Sequence, residues 1–242
     1  MKVEIYCNLD FEGKPVTEVT IRAFKGKDRS LLGQYENNLF EGLLYVIANC
    51  ITEVNGNAID NAERKRLLIK RMERGDIFNL LYAIKKESKK GNAMIKISAR
   101  CRNCGFEFQT EINSDELERK ENRESKLLIE LPEGFEKDGH VHKVVVMTKP
   151  TGELLIKMDK VPNNVEATKR GVISCVERVG EINAPAFTIL DYDELSYTDI
   201  EAIETAWVEN TGGVALRTEI LCENPRCRKP FKTEVNLIDF FV

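Results

Sequence analysis

The chain has 242 residues, 42% of them hydrophobic and 31% charged, with 36 basic against 40 acidic side chains and a net charge of −4. That is enough apolar material for one large core or two small ones, and the charge balance excludes the strongly basic signature of a general nucleic-acid binder. No apolar run approaches the ~20 residues that span a bilayer, the start "MKVEIYCNLDFEGK" lacks the pattern of a signal peptide, and seven cysteines in a reducing cytosol point to metal binding or core packing rather than disulfides.

Val3, Ile5, Cys7 and Leu9 alternate with polar residues, as do Val19, Ile21 and Ala23, which predicts strands around a turn at "EGKP". Leu39, Leu43, Leu44, Ile47, Ile51 and Val54 recur at three- and four-residue spacing and predict a helix. "NAERKRLLIKRME" predicts another, and a third begins near Asp76, a residue able to cap a first turn. "AMIKISARC…CGFEFQTEIN" then reads as strand, cysteine pair, strand. Residues 114–126, "SDELERKENRESK", are nearly all polar or charged and read as a linker or solvated helix with nothing to bury. Beyond it "LLIEL", "HKVVVM" and "ELLIKM" read as strands, and a helix is expected from about Val165 to Val179. His140 and His142 read as a solvated turn or strand edge. "INAPAFTILDYDE" reads as a loop, another helix starts near Thr198 and Asp199, and "VALRTEILC…CRKPFKTEVN" closes the chain as a second strand–cysteines–strand unit.

The later elements echo the earlier ones. Cys50 in "IANCITEV" matches Cys175 in "VISCVERV", Asp76-Ile77 matches Asp199-Ile200, and "TEIN" from Thr110 matches "TEVN" from Thr233, at separations of 125, 123 and 123 residues. Three collinear matches imply an internal duplication, with a first repeat at 1–113, a polar linker at 114–126 and a second repeat at 127–242. Charge differs between the halves: +3 through Arg123 and −7 beyond it, which weakly favours contact between them. The fold class is α+β, each repeat running strands, helices, then a cysteine-bearing hairpin.

Paired cysteines at a hairpin tip have the form of a zinc knuckle, and Gly105 permits the turn's dihedrals. Cys101 and Cys104 are spaced C-x₂-C; Cys222 and Cys227 are spaced C-x₄-C, with Pro225 in the loop. Two knuckles would supply the four thiolates of a closed tetrahedral Zn²⁺ site, but only if the two repeats set their hairpins side by side as a zinc-ribbon-like clasp. The alternatives are hairpin cysteines without metal, or two separate incomplete sites. Cys7, Cys50 and Cys175 lie on apolar faces and are expected in the core.

There is no P-loop, no G-x-S-x-G, no G-x-G-x-x-G after a strand and no H-E-x-x-H, so the reading is non-enzymatic. Arg100, Arg102, Arg226, Arg228, Lys229 and Lys232 surround the knuckles. They would either hold phosphates or offset thiolate charge. The first option gives the alternative reading, a zinc-ribbon nucleic-acid-binding regulator, which the negative net charge and sparse aromatics disfavour. In the ending "NLIDFFV", Leu237, Ile238, Phe240 and Phe241 need cover, either within their own repeat or as a docking patch for a partner.

The duplicated unit, the hairpins "CRNCGFEFQTEIN" and "CENPRCRKPFKTEVNL", and the ending "IDFF" together resemble the baseplate hub assembly proteins of contractile-tailed bacteriophages. The likeness covers nearly the whole chain. It implies a structural subunit or assembly chaperone acting through contacts with tail and hub proteins, in the host cytoplasm during assembly and in the virion baseplate if retained. No membrane partner and no catalytic residues come with it; only Cys101, Cys104, Cys222 and Cys227 map onto the family's cysteine hairpins. The longer x₄ loop departs from the pattern.

Overall fold

The computed structural model describes residues 1–35, 38–92, 94–209, 212–214 and 217–234. Two tight turns with positive φ at both central positions set up its main sheets. Asn55 (φ 48°) and Gly56 (φ 76°) join strand Ile51–Val54 to Asn57–Ala58; Asp138 (φ 53°) and Gly139 (φ 74°) join Lys126–Lys137 to His140–Thr148. Turns of this hand match the twist of the strands they connect. The first antiparallel sheet runs Lys2–Glu4, Glu18–Ile21, Ile51–Val54, Asn57–Ala58, and the second runs Lys126–Lys137, His140–Thr148, Val176–Val179, Ile182–Asn183. Helices cover both, giving a mixed α+β architecture with open sheets.

Two expectations for the helices need correction. The helix expected over 39–54 is Leu39–Cys50, and the one expected over 165–179 is Asn164–Cys175. Each passes without a loop into a strand, Ile51–Val54 and Val176–Val179. The β-branched residues favour that outcome, and over so few residues an apolar run fits either period. In both places the last helical residue is a buried cysteine, Cys50 at 0% and Cys175 at 3% exposure.

"ELLIKM", expected as a strand, lies in helix Gly152–Asp159. Its position explains the misleading pattern. Leu155 and Ile156 pack on the core of the first sheet, while Leu154 and Met158 pack on that of the second. Its apolar residues cover a broad side of the helix that meets both cores, and over six residues such a run fits the strand period as readily as the helical one. The loop "INAPAFTILDYDE" contains strand Ile182–Asn183 and a short helix, Ile189–Asp193, whose first turn is closed by reciprocal bonds between Thr188 and Asp191.

The two aspartates matched in sequence do the same work. Asp76, 0% exposed, accepts from the Tyr6 and Cys7 backbone N–H groups, both at 2.9 Å. Asp199, also 0% exposed, accepts from those of Glu133 and Gly134 at 3.0 and 3.1 Å. Each carboxylate thus ties the start of a helix to two consecutive amides, Tyr6 and Cys7 just after strand Lys2–Glu4 and Glu133 and Gly134 within strand Lys126–Lys137.

Segment 114–126, read as having nothing to bury, carries Leu117 into the first core at 6% exposure. Its strand Arg119–Lys120 pairs with Gly213–Val214, and the Arg123 guanidinium donates to the Ile5 carbonyl at 2.9 Å. Beside it the early and late parts of the chain meet backbone to backbone. A Cβ on Gly75 would fall 1.6 Å from the Gly212 carbonyl oxygen, and one on Gly152 would fall 2.4 Å from that of Ile69. The buried Lys149 ammonium lies here, 3.4 Å from Glu73 and donating to the Asn122 carbonyl at 2.9 Å.

Candidate metal centre

The two cysteine hairpins form as expected. Strand Met94–Arg100 pairs in register with Glu107–Asn113, and Arg217–Leu221 pairs with Pro230–Glu234. Their tips are built alike. Gly105 donates to the Cys101 carbonyl at 2.8 Å, and Cys101 donates to that of Phe106 at 2.9 Å. In the longer second loop, Cys222 donates to the Lys229 carbonyl at 3.1 Å and Cys227 to that of Asn224 at 2.9 Å. The residue after the second cysteine is left-handed in both, Gly105 at φ 72° and Arg228 at φ 48°.

A small apolar cluster joins the hairpins. Ala99 and Cys101 from the first pack with Cys222 and Phe231 from the second, and the Phe108 ring meets Phe231 edge-on with centroids 6.2 Å apart. This sets the four sulfurs together. Cys101 Sγ lies 3.9 Å from Cys227 Sγ, Cys104 Sγ lies 3.7 Å from Cys222 Sγ, and all four fall within 4.8 Å of one another.

A tetrahedral zinc with bonds of ~2.3 Å places its sulfurs roughly 3.8 Å apart. A disulfide would need ~2.05 Å. The donor set and spacing are therefore compatible with zinc. The thiols of the cluster differ in acidity. Desolvation opposes ionising Cys101, but the amides of Asn103 and Cys104 and the neighbouring thiols outweigh it and bring that thiol down to about 7. Desolvation and the adjacent thiols push Cys222 up to about 12 despite the Asn224 amide. Four sulfurs this close ionise together only around a cation. The site has further polar neighbours that the cysteine spacing does not announce: the Asn224 amide lies 3.8 Å from Cys104 Sγ, and Asn103 reaches the Pro230 carbonyl at 3.5 Å. The "CENPRC" loop holds the one legible hint, because an asparagine before proline favours a turn; Asn224 Oδ1 accepts from the Arg226 amide at 3.0 Å.

A family model described as T4 bacteriophage base plate protein matches residues 3–242. The chain belongs to that family. No curated protein and no solved structure matches it. Membership in the baseplate family supports a structural role in the phage baseplate, with phage tail proteins as partners, and favours a non-enzyme.

The remaining expected positions fall as follows. Cys7, Cys50 and Cys175 lie in the core, away from the four-sulfur cluster, and burial pushes the Cys50 thiol up to about 11. His140 is exposed, and His142 Nδ1 accepts from the Glu181 amide at 3.4 Å. Leu237, Ile238, Phe240 and Phe241 lie outside the described residues. Among the described residues no helix is long and apolar enough to cross a membrane.

Proposed function

We propose that this chain is a structural or assembly subunit of the phage baseplate hub, working through protein–protein contacts. The observation that carries the reading is the baseplate-family match across residues 3–242. In this reading residues 1–113 and 127–242 are two copies of one duplicated unit with 114–126 between them. The equivalent aspartates and the similar strand orders of the two sheets support that division. Zn²⁺ held by Cys101, Cys104, Cys222 and Cys227 closes a clasp between the copies, and the convergence of the four sulfurs supports it. The ion serves as structural charge: four thiolates saturate it and leave no open position for substrate. Leu237, Ile238, Phe240 and Phe241 supply an apolar docking segment for a hub or tail protein.

Elemental analysis of the purified chain tests the clasp. One zinc per chain is expected, and a value far below one removes the metal from the proposal. A phage with this coding sequence interrupted tests the role. Electron microscopy should show tails or baseplates with the central hub missing or unassembled, restored when the chain is supplied in trans. Normal particles from the interrupted phage would end the hub reading.

A further inference from the structure

The tip of the clasp carries an excess of positive charge. Its two loops, 101–106 and 222–229, carry Arg102, Arg226, Arg228 and Lys229 against one carboxylate, Glu223. All four cations are exposed, and none has an ion-pair partner among the described residues. A four-thiolate zinc leaves two net negative charges, so the cations outnumber what the metal needs.

Arg228 also makes the tip testable. It is held at φ 48° where the sister knuckle has Gly105 at φ 72°. Glycine adopts that conformation without steric cost, whereas a side chain is strained in it. The turn leaves the Arg228 side chain exposed at the tip beside Lys229. The neighbouring Phe106 and Leu221 are exposed at 41% and 63%, which adds apolar surface beside the charges.

From these observations we infer that the clasp tip is a docking surface for an acidic face of another baseplate protein. The inference rests on the baseplate reading above. The tip suits carboxylates better than nucleic acid. Arginine forks pair bidentately with carboxylates. The Phe106 ring already stacks on Phe108 with centroids 5.9 Å apart, so one of its faces is closed to a base. The whole chain is also acidic, at −4. A rigid, metal-held tip would present the guanidiniums with little ordering cost on binding.

The test uses the full zinc-loaded chain, immobilised, with each purified baseplate protein of the same phage and a short DNA duplex as probes, at low and high salt. Arg228→Gly and Arg102→Ala are measured alongside. The parent should bind at least one acidic baseplate protein in a salt-sensitive manner, and each variant should weaken that binding about tenfold. Arg228→Gly should keep its zinc and melt no lower than the parent, because glycine relieves the backbone; this separates lost binding from lost folding. If the parent binds a baseplate protein and both variants bind equally well, the tip is not the docking surface and the baseplate reading stands. If the parent binds none of them, that reading falls with the inference. Tighter binding to the duplex than to any baseplate protein would make the tip a nucleic-acid surface instead.

Discussion

Gly75 shows how a single residue can decide whether the two ends of the chain meet. It lies in helix Arg74–Ser88, where alanine would be preferred on propensity by about 1 kcal/mol. A Cβ there would sit 1.6 Å from the Gly212 oxygen, a collision with backbone that no rotamer can relieve. Gly75→Ala should therefore destabilise by about 3 kcal/mol or more despite its better propensity, read as a lowered urea midpoint; an unchanged midpoint would mean this crossing does not form. The paired aspartates allow a second test. Asp76→Ala strips the Tyr6 and Cys7 amides of their acceptor, and Asp199→Ala does the same to Glu133 and Gly134. Each should cost about 2–4 kcal/mol, since buried unsatisfied donors lose their full desolvation cost, and denaturant titration should give similar values for both. A near-neutral result at one of them would show that the two aspartates are not equivalent. The match of "DI" with "DI" is visible in the sequence, but the amides each carboxylate reaches are some 65–70 residues away and are not.

At the scale of elements, the hairpins were the most legible feature because what makes them is local: alternation, a cysteine knuckle and, in the first, Gly105 at the left-handed position. Helix Gly152–Asp159 was the least legible because a short apolar run fits either period, and contacts with two cores contributed by distant residues decide it. The hairpins also have little to hold them alone. An isolated two-stranded ribbon is marginal in water, and among the described residues the cluster joining them has Ala99, Cys101, Cys222 and Phe231 at its buried centre. Under the zinc clasp proposed above, treatment with a chelator, or replacement of Cys222 by Ser, should speed amide hydrogen exchange in both hairpins while leaving strands Glu18–Ile21 and His140–Thr148 protected. Loosening confined to the second hairpin would refute a site shared between them.

Across the whole molecule, the buried pair Lys149–Glu73 sits where the two halves and residues 119–123 come together, with side chains 1% and 8% exposed. Breaking such a pair strands the other charge, at about 3–5 kcal/mol, whereas replacing both partners by apolar groups is often neutral or better. Lys149→Met should therefore destabilise strongly, and adding Glu73→Leu should recover most of the loss in a double-mutant cycle; additive losses would contradict the pairing. The pair also shapes the pH dependence. Burial holds the Glu73 and Asp76 carboxyls above their ordinary range, Glu73 in spite of Lys149. A carboxyl whose pKa is raised by folding binds its proton more tightly in the folded chain, so its contribution to stability falls as pH rises from its unfolded value toward its folded one. Asp28 has the opposite sign: desolvation opposes its ionisation, but the Arg22 guanidinium and the Lys25 amide outweigh it and lower the pKa. Its contribution is present above the unfolded value and lost as pH falls through the folded one. Urea midpoints taken upward from about pH 4 should accordingly fall less steeply in Glu73→Gln than in the parent, even though the variant is weaker throughout.

The sequence by itself determined what depends on neighbours along the chain: the α+β class, the turn at "EGKP", the cysteine hairpins and the echo between halves. These follow from periodicity, dihedral preference and residue order, which act over a few residues. The tertiary structure alone decided that four sulfurs separated by up to 126 residues converge, that Arg119–Lys120 pairs with Gly213–Val214, and that Lys149 finds Glu73. Those outcomes depend on how two cores pack against each other, and the energy of such packing belongs to contacts between residues far apart in the chain.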